Sequence, residues 1–368
     1  MNVFPWGGSE ELWYQTAKLA IKKGHSVITL TQHWNNLSDK VFELQSLGAE
    51  CCFYFKPAYS LSHRVMIKLK LKKYREEVVP FIDADVFIIS NGTTFNFLNN
   101  HSVMSMVIKS GKPYILISQH GFENGSLIIP NQRTYSIDLI QNAYKMFFVS
   151  ERNLKSAERQ LAYPISNAQH IHNPNNLKTI AIKKFPKSPA LLMACVARLD
   201  CNFKGQDILL AALSSEKWKN RNYKLRLYGK GPDHQHLVHL MEMYGLQERI
   251  SIEGHITNID KIWEDNQVLV LPSISEGTPL AMVEAMLSGR AVLTTDVGDN
   301  AKYVISGKTG FLAAAATEIC LLDCLEELWV SKEKLQLMGE NAFQHAMEIT
   351  DLHPEETLLS FIDKSFDQ

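Results

Sequence analysis

Short apolar, β-branched runs alternate with amphipathic stretches along the whole chain. In the first half they fall at residues 26–30, 51–55, 85–89, 114–118, 145–149 and 170–172. In the second half they fall at 190–197, 224–228, 250–253, 268–271, 291–295 and 310–312. Helical spacing fills most of the gaps, as in 11–22, which stops at Lys22-Lys23-Gly24, and 206–213. Strand–helix alternation on this scale predicts parallel sheets with helices on both faces. The polar stretch 173–187, with Pro174, Pro186 and the pair Asn175-Asn176, breaks the rhythm and reads as a linker. The expected architecture is therefore α/β, with two Rossmann-like doubly wound parallel-sheet domains facing each other across a cleft. The expected boundaries are 1–173 for the first domain, 174–187 for the linker and 188–349 for the second domain. A C-terminal helix within 350–368 is expected to pack back on the first domain. Before the glycine pair Gly7-Gly8 only Asn2-Val3-Phe4 has strand character, so the first domain is expected to open on a short or missing strand.

Composition narrows the function classes. The chain has 368 residues, 45% of them hydrophobic, which suits two domains with real cores. Its formal net charge of -1 gives no case for nucleic acid as a partner. No apolar run approaches the roughly 20 residues of a membrane span, and the N-terminus carries no basic n-region. Cysteines at 51, 52, 195, 201, 320 and 324 form no CxxC pair, which predicts reduced thiols and a cytoplasmic protein, with Cys51 and Cys52 as small core residues. The histidines show no metal-ligand spacing.

The most informative stretch is Ser275-Glu276-Gly277-Thr278-Pro279-Leu280-Ala281-Met282-Val283-Glu284, directly after the apolar run 268–271. A buried strand empties into a glycine loop that opens a helix, which offers backbone N–H groups and a helix dipole to an anion. Glu276 and Glu284 supply acceptors for hydroxyls. Glu284 follows Leu280 by four positions, which places it at the border of the buried face formed by Leu280, Val283 and Leu287. Arg198 and Lys204 flank the exit of the strand at 190–197 and suit a diphosphate. Gly229 and Gly231 lie at the next strand exit, where glycine allows close backbone approach. His234 stands where a dinucleotide fingerprint would need its third glycine. In the first domain, Gly8 precedes a helix, and His120 follows the strand at 114–118 beside Gly121. Each feature alone has a plainer reading, as solvated loop charge, turn glycine, surface glutamate or capping histidine. Their common position at strand exits favours one ligand site.

One segment stands apart. Residues 63–75 run from His63 to Arg75 with Arg64, Lys68, Lys70, Lys72 and Lys73 among apolar residues and no acid. As a helix this segment would suit an anionic membrane surface, which predicts peripheral attachment to the inner face of the cell membrane. The plainer reading is a solvated basic helix balanced by Glu76 and Glu77.

These motifs resemble the retaining, two-domain glycosyltransferases of family 4, the glycosyl transferases group 1, which have the GT-B fold. The resemblance rests on Glu276–Glu284 with Ala285-Met286-Leu287-Ser288-Gly289. It rests also on Ala197-Arg198-Leu199 with Lys204-Gly205, on Gly229-Lys230-Gly231, and on Thr295-Asp296-Val297-Gly298 with Gly307-Lys308-Thr309-Gly310-Phe311. It implies a hexosyltransferase-type, metal-independent enzyme without a cofactor, moving sugar from a UDP- or GDP-type nucleotide sugar to a glycan or lipid-linked acceptor in polysaccharide biosynthesis. By that resemblance Arg198 and Lys204 bind the donor diphosphate and act in catalysis. Gly8 approaches the diphosphate, Gly229 and Gly231 line the donor site, and Glu284 holds the ribose. Glu276, with Gly277, Thr278 and Leu280, contacts the donor sugar, and His120 faces the sugar and acceptor. The pattern departs from the family at Asp299-Asn300-Ala301-Lys302, where the family usually has a glutamate and a lysine stands here. Two alternatives remain open at this level: a nucleotide-sugar-binding subunit that has lost turnover, and a nucleotide-sugar epimerase using Glu276 and His120.

Overall fold

The computed structural model describes residues 6–34, 37–54, 83–123, 125 and 128–366. The basic segment 63–75 and the opening residues 1–5 lie outside the described residues. Among the described residues no helix is long and apolar enough to cross a membrane.

Twelve strands are described, in chain order β1 (Ile28–Gln32), β2 (Glu50–Tyr54), β3 (Phe87–Asn91), β4 (Tyr114–Ser118), β5 (Lys145–Phe148), β6 (Ala168–His170), β7 (Leu191–Val196), β8 (Tyr223–Tyr228), β9 (Ile250–Gly254), β10 (Val268–Leu271), β11 (Ala291–Thr295) and β12 (Gly310–Ala313). The second domain is a six-stranded sheet of order β12-β11-β10-β7-β8-β9, parallel throughout. Every residue of β10 and β11 is buried. Strands covered on both faces read as continuous apolar runs, and this is why they were legible in the sequence.

The first domain holds a four-stranded parallel sheet of order β3-β4-β5-β6 and a separate parallel pair, β1-β2. Among the described residues β1 and β3 pair on one side only, and a cavity of about 540 Å³ lies between them, lined by Thr29, Thr31, Phe87 and Ile89 among others. Several strand ends differ from the apolar pattern. β1 and β3 begin two residues later than expected and β6 two residues earlier, because pairing with a neighbour sets the ends, as in Phe87 opposite Tyr114 and Phe148 opposite His170. Cys51 and Cys52 are only half-buried, a correction to their expected core position, because the strand that carries them sits in the two-stranded piece.

The first helix spans Gly8–Lys22 and starts three residues before its apolar periodicity, with extended Gly7 as its cap and Glu10 and Glu11 in its first turn. Acidic residues there complement the helix dipole. Leu12 and Ala20 of this helix share a cluster with Ile115, Ile117 and Phe147 of the sheet and with Leu358, Leu359 and Ile362. The last three belong to the C-terminal helix Pro354–Ser365, which thus crosses back to the first domain. The linker is pinned to the second domain by Arg290, which is fully buried. Its guanidinium donates to the carbonyls of Lys183 and Lys184 as well as to those of Trp263 and Asn266. Burial pushes its pKa down to about 10.

Candidate donor-binding cleft

In the second sheet the strand order reverses between β10 and β7, so the loops that leave their C-terminal ends diverge and open a crevice. The loop after β7 carries Arg198 and Lys204, and the loop after β10 carries Glu276. Arg198 lies two residues beyond the strand end, and Lys204 ends a one-turn helix, Cys201–Lys204, ahead of helix Gln206–Leu213. Lys204 Nζ meets Glu276 Oε1 at 2.5 Å, and the Ser273 hydroxyl donates to the same oxygen at 2.8 Å. Glu276 is buried and Lys204 largely so. A buried ion pair holds its geometry firmly, because freeing either partner leaves an uncompensated charge. Arg198 donates to Asp200 Oδ2 at 2.8 Å, and its guanidinium lies 5.8 Å from the Phe203 ring centre.

The first domain supplies the facing wall. The His120 ring packs edge-on against Phe122 at 5.0 Å and against Phe203 of the second domain at 6.0 Å. Burial pushes its pKa below the ordinary histidine value, although Glu276 opposes the shift. The imidazole is therefore neutral near pH 7. Gly8 sits at the start of the first helix, where a side-chain carbon would lie 3.0 Å from Leu280 Cδ1. The glycine loop of the first domain thus meets the helix Leu280–Met286 of the second.

Glu284 is more deeply buried than its border position in the periodicity suggests, at 3% exposure. The short helix that carries it is covered on the far side by helix Leu335–Ile349. Its Oε1 accepts from the Asn176 backbone at 2.9 Å and from Asn176 Nδ2 at 3.0 Å. Burial pushes its pKa up to about 7.

Gly277 and Thr278 serve the interface between domains. The Thr278 hydroxyl donates to the Val149 carbonyl at 2.7 Å, and Asn153 Nδ2 donates to the Glu276 carbonyl at 3.3 Å. A side-chain carbon on Gly277 would lie 2.7 Å from the Gln119 carbonyl. Only glycine fits there without moving the first domain. Gly229 and Gly231 lie at the β8 exit. There a side-chain carbon would collide with the Ala197 carbonyl at 2.0 Å and the Leu199 carbonyl at 2.1 Å. The crossing of that backbone is itself a sufficient reason for both glycines.

The departure at 299–302 is where the domains are tied together. Asp299 accepts from Ser150 Oγ at 2.7 Å, from Glu151 N at 3.1 Å and from Arg152 N at 3.3 Å, so it caps the first-domain helix Glu151–Leu161. Lys302 pairs with Glu151 at 2.8 Å. Arg152 pairs with Asp296, and Glu123 accepts from Gly298 N at 2.9 Å. Asn153, Asn176 and Asp299 carry contacts that no periodicity or motif spacing reveals, since their partners lie 108 to 149 positions away. The adjacent asparagines in the linker are the one local signal. Among the described residues no three His, Cys, Asp or Glu side chains gather as a metal-ligand set.

The sequence and the fold have counterparts among known proteins. Residues 190–330 match the family model described as glycosyl transferases group 1. The chain is 24% identical to an uncharacterized glycosyltransferase of Haemophilus influenzae, over 85% of this chain and 84% of that one. It is 35% identical to the lipopolysaccharide core biosynthesis mannosyltransferase LpcC of Rhizobium leguminosarum bv. viciae, over 27% of this chain and 29% of LpcC. Among solved structures, Anabaena Alr3699/HepE in complex with UDP-glucose superposes with a TM-score of 0.73 at 15% identity, covering 99% of this chain and 98% of that one. Such a likeness carries the fold along the whole length: two Rossmann-like domains in the GT-B arrangement. Over residues 190–330 the chain is similar to the glycosyl transferases group 1.

Proposed function

We propose that the cleft binds a nucleoside-diphosphate sugar and that the chain transfers the sugar, with retention, to a glycan or lipid-linked acceptor. The observation that carries this reading is the buried Lys204–Glu276 pair at 2.5 Å, set at the strand-order reversal. A cation and a sugar-hydroxyl acceptor side by side suit the junction between a diphosphate and its sugar. The UDP-glucose in HepE and the mannosyltransferase LpcC support a hexosyl donor.

In this reading Arg198 and Lys204 face the diphosphate. They stabilise the charge that develops on it as the glycosidic bond breaks, a role that needs no metal ion. Glu276, held through Oε1 by Lys204 and Ser273, orients the sugar through its hydroxyls. Neutral His120 faces the sugar from the other domain, and Phe122 and Phe203 narrow access for water. Glu284 accepts from the ribose diol.

The test is release of nucleoside diphosphate from UDP- and GDP-hexoses, with and without acceptor glycans. Glu276→Ala is expected to lower turnover by about a hundredfold or more, the order seen when one transition-state contact is lost. Unchanged turnover in that variant, or no cleavage of any donor, overturns the proposal. Donor binding without turnover would favour a binding subunit.

A further inference from the structure

Glu284 presents an asymmetry. Oε1 takes both hydrogen bonds from Asn176, one from its backbone and one from its side chain, while Oε2 accepts none among the described residues. Asn176 belongs to the segment between the domains, and that segment is itself held in place. Leu177 N donates to Asn175 Oδ1 at 3.1 Å, and Lys178 N donates to Asp260 Oδ2 at 3.0 Å. Lys183 pairs with the other oxygen of Asp260. A rigid strap therefore presents two donors to one oxygen of a buried carboxylate.

We infer that Asn176 is a positioning residue for nucleotide binding: it anchors Glu284 through Oε1 and leaves Oε2 aimed at the vicinal hydroxyls of a ribose. This rests on the reading of Glu284 as a ribose acceptor. An ionised carboxylate keeps Oε2 a pure acceptor for a diol, whereas protonation there turns it into a donor, and burial works against ionisation. The charged groups facing Glu284 work the same way. They are Glu11 of the first helix, which is paired to Lys40, and Asp260 of helix Ile259–Asp265. Among the described residues Asn176 is the group that favours the charged form. The segment joining the domains thus sets how strongly the nucleotide site binds at neutral pH.

The experiment is titration of UDP and GDP into the full chain by calorimetry from pH 6 to 9. In the wild type, affinity rises with pH through the Glu284 value of about 7. In Asn176→Ala the rise is expected to move up by about one pH unit, the scale of one lost hydrogen bond to a charged group. Affinity would then fall about fivefold at pH 7 and largely recover at pH 9. Glu284→Gln supplies the background, with only phosphate titration left. Asn176→Ser reads the same shift if the alanine variant does not fold. Affinity lowered equally at every pH, or unchanged, overturns the role of Asn176. Failure of both diphosphates to bind the wild type instead overturns the donor-site reading, and the inference with it.

Discussion

Ser150 donates its hydroxyl to Asp299 at 2.7 Å across the interface between the domains, and both side chains are buried. The carboxylate of one domain thereby completes a helix N-terminus of the other. The loop that carries Glu276 is fixed by the same helix, through Asn153 on the Glu276 carbonyl. One helix N-terminus of the first domain thus contacts both Asp299 and the loop that carries Glu276.

Asp299→Ala removes the cap and leaves the Ser150 hydroxyl and two backbone donors without their acceptor. The expected loss is about 2 kcal/mol, the scale of a cap plus a buried unsatisfied donor. Urea denaturation measures it, and small-angle scattering is expected to show a larger radius of gyration. Asp299→Asn, which keeps one acceptor oxygen, is expected to lose less.

Glu284 has a folded pKa raised from 4.5 to about 7, with burial as the main cause. A carboxyl of this kind contributes stability below its unfolded value and loses that contribution as pH rises through its folded one. Glu284→Gln is therefore expected to equal the wild type in stability near pH 4 and to exceed it by roughly 3 kcal/mol above pH 7. Denaturation midpoints across that range test the sign. A variant less stable than wild type at pH 8 would contradict it.

His172 is depressed from 6.5 to about 4, by burial first and by His170 second. Stability held by a neutral buried histidine is complete above pH 6.5 and is lost as pH falls toward 4. The wild type is expected to lose up to roughly 3 kcal/mol in that window from this group. His172→Gln removes that part of the acid sensitivity, as urea midpoints at pH 5 and 7 would show.

Gly277→Ala sets a methyl group against the Gln119 carbonyl and against Val149 Cγ2, each 2.7 Å away. The expected cost is about 1–3 kcal/mol, as for other overpacked contacts. Because the clash lies between domains, donor affinity is expected to fall along with the denaturation midpoint.

The residues of the cleft were legible where chemistry followed local pattern. Glu276 and Glu284 stand out because an apolar strand, a glycine loop and a helix follow one another within twenty residues. Arg198, Lys204 and His120 stand out because each follows a strand exit. The depth of Glu284 was not legible, since periodicity describes one face of a helix and a second helix covers the other. Asn153, Asn176 and Asp299 were hidden for a related reason: a polar side chain that satisfies a distant backbone group leaves no periodic trace. The segment 299–302, where the sequence departs from the family pattern, forms a clasp between the domains, with Lys302 on Glu151. In the first domain the split between β1 and β3 follows from pairing, to which an apolar run is blind.

The central claim is that Arg198 and Lys204 bind a diphosphate, and comparison of UDP with uridine tests it most directly. Calorimetry is expected to show UDP affinity falling about thirtyfold or more in Lys204→Ala, the scale of a lost charge-assisted contact. Uridine affinity is expected to stay within about threefold of the wild type, an energy change below 1 kcal/mol. Equal losses for UDP and uridine, or none for either, would contradict the account.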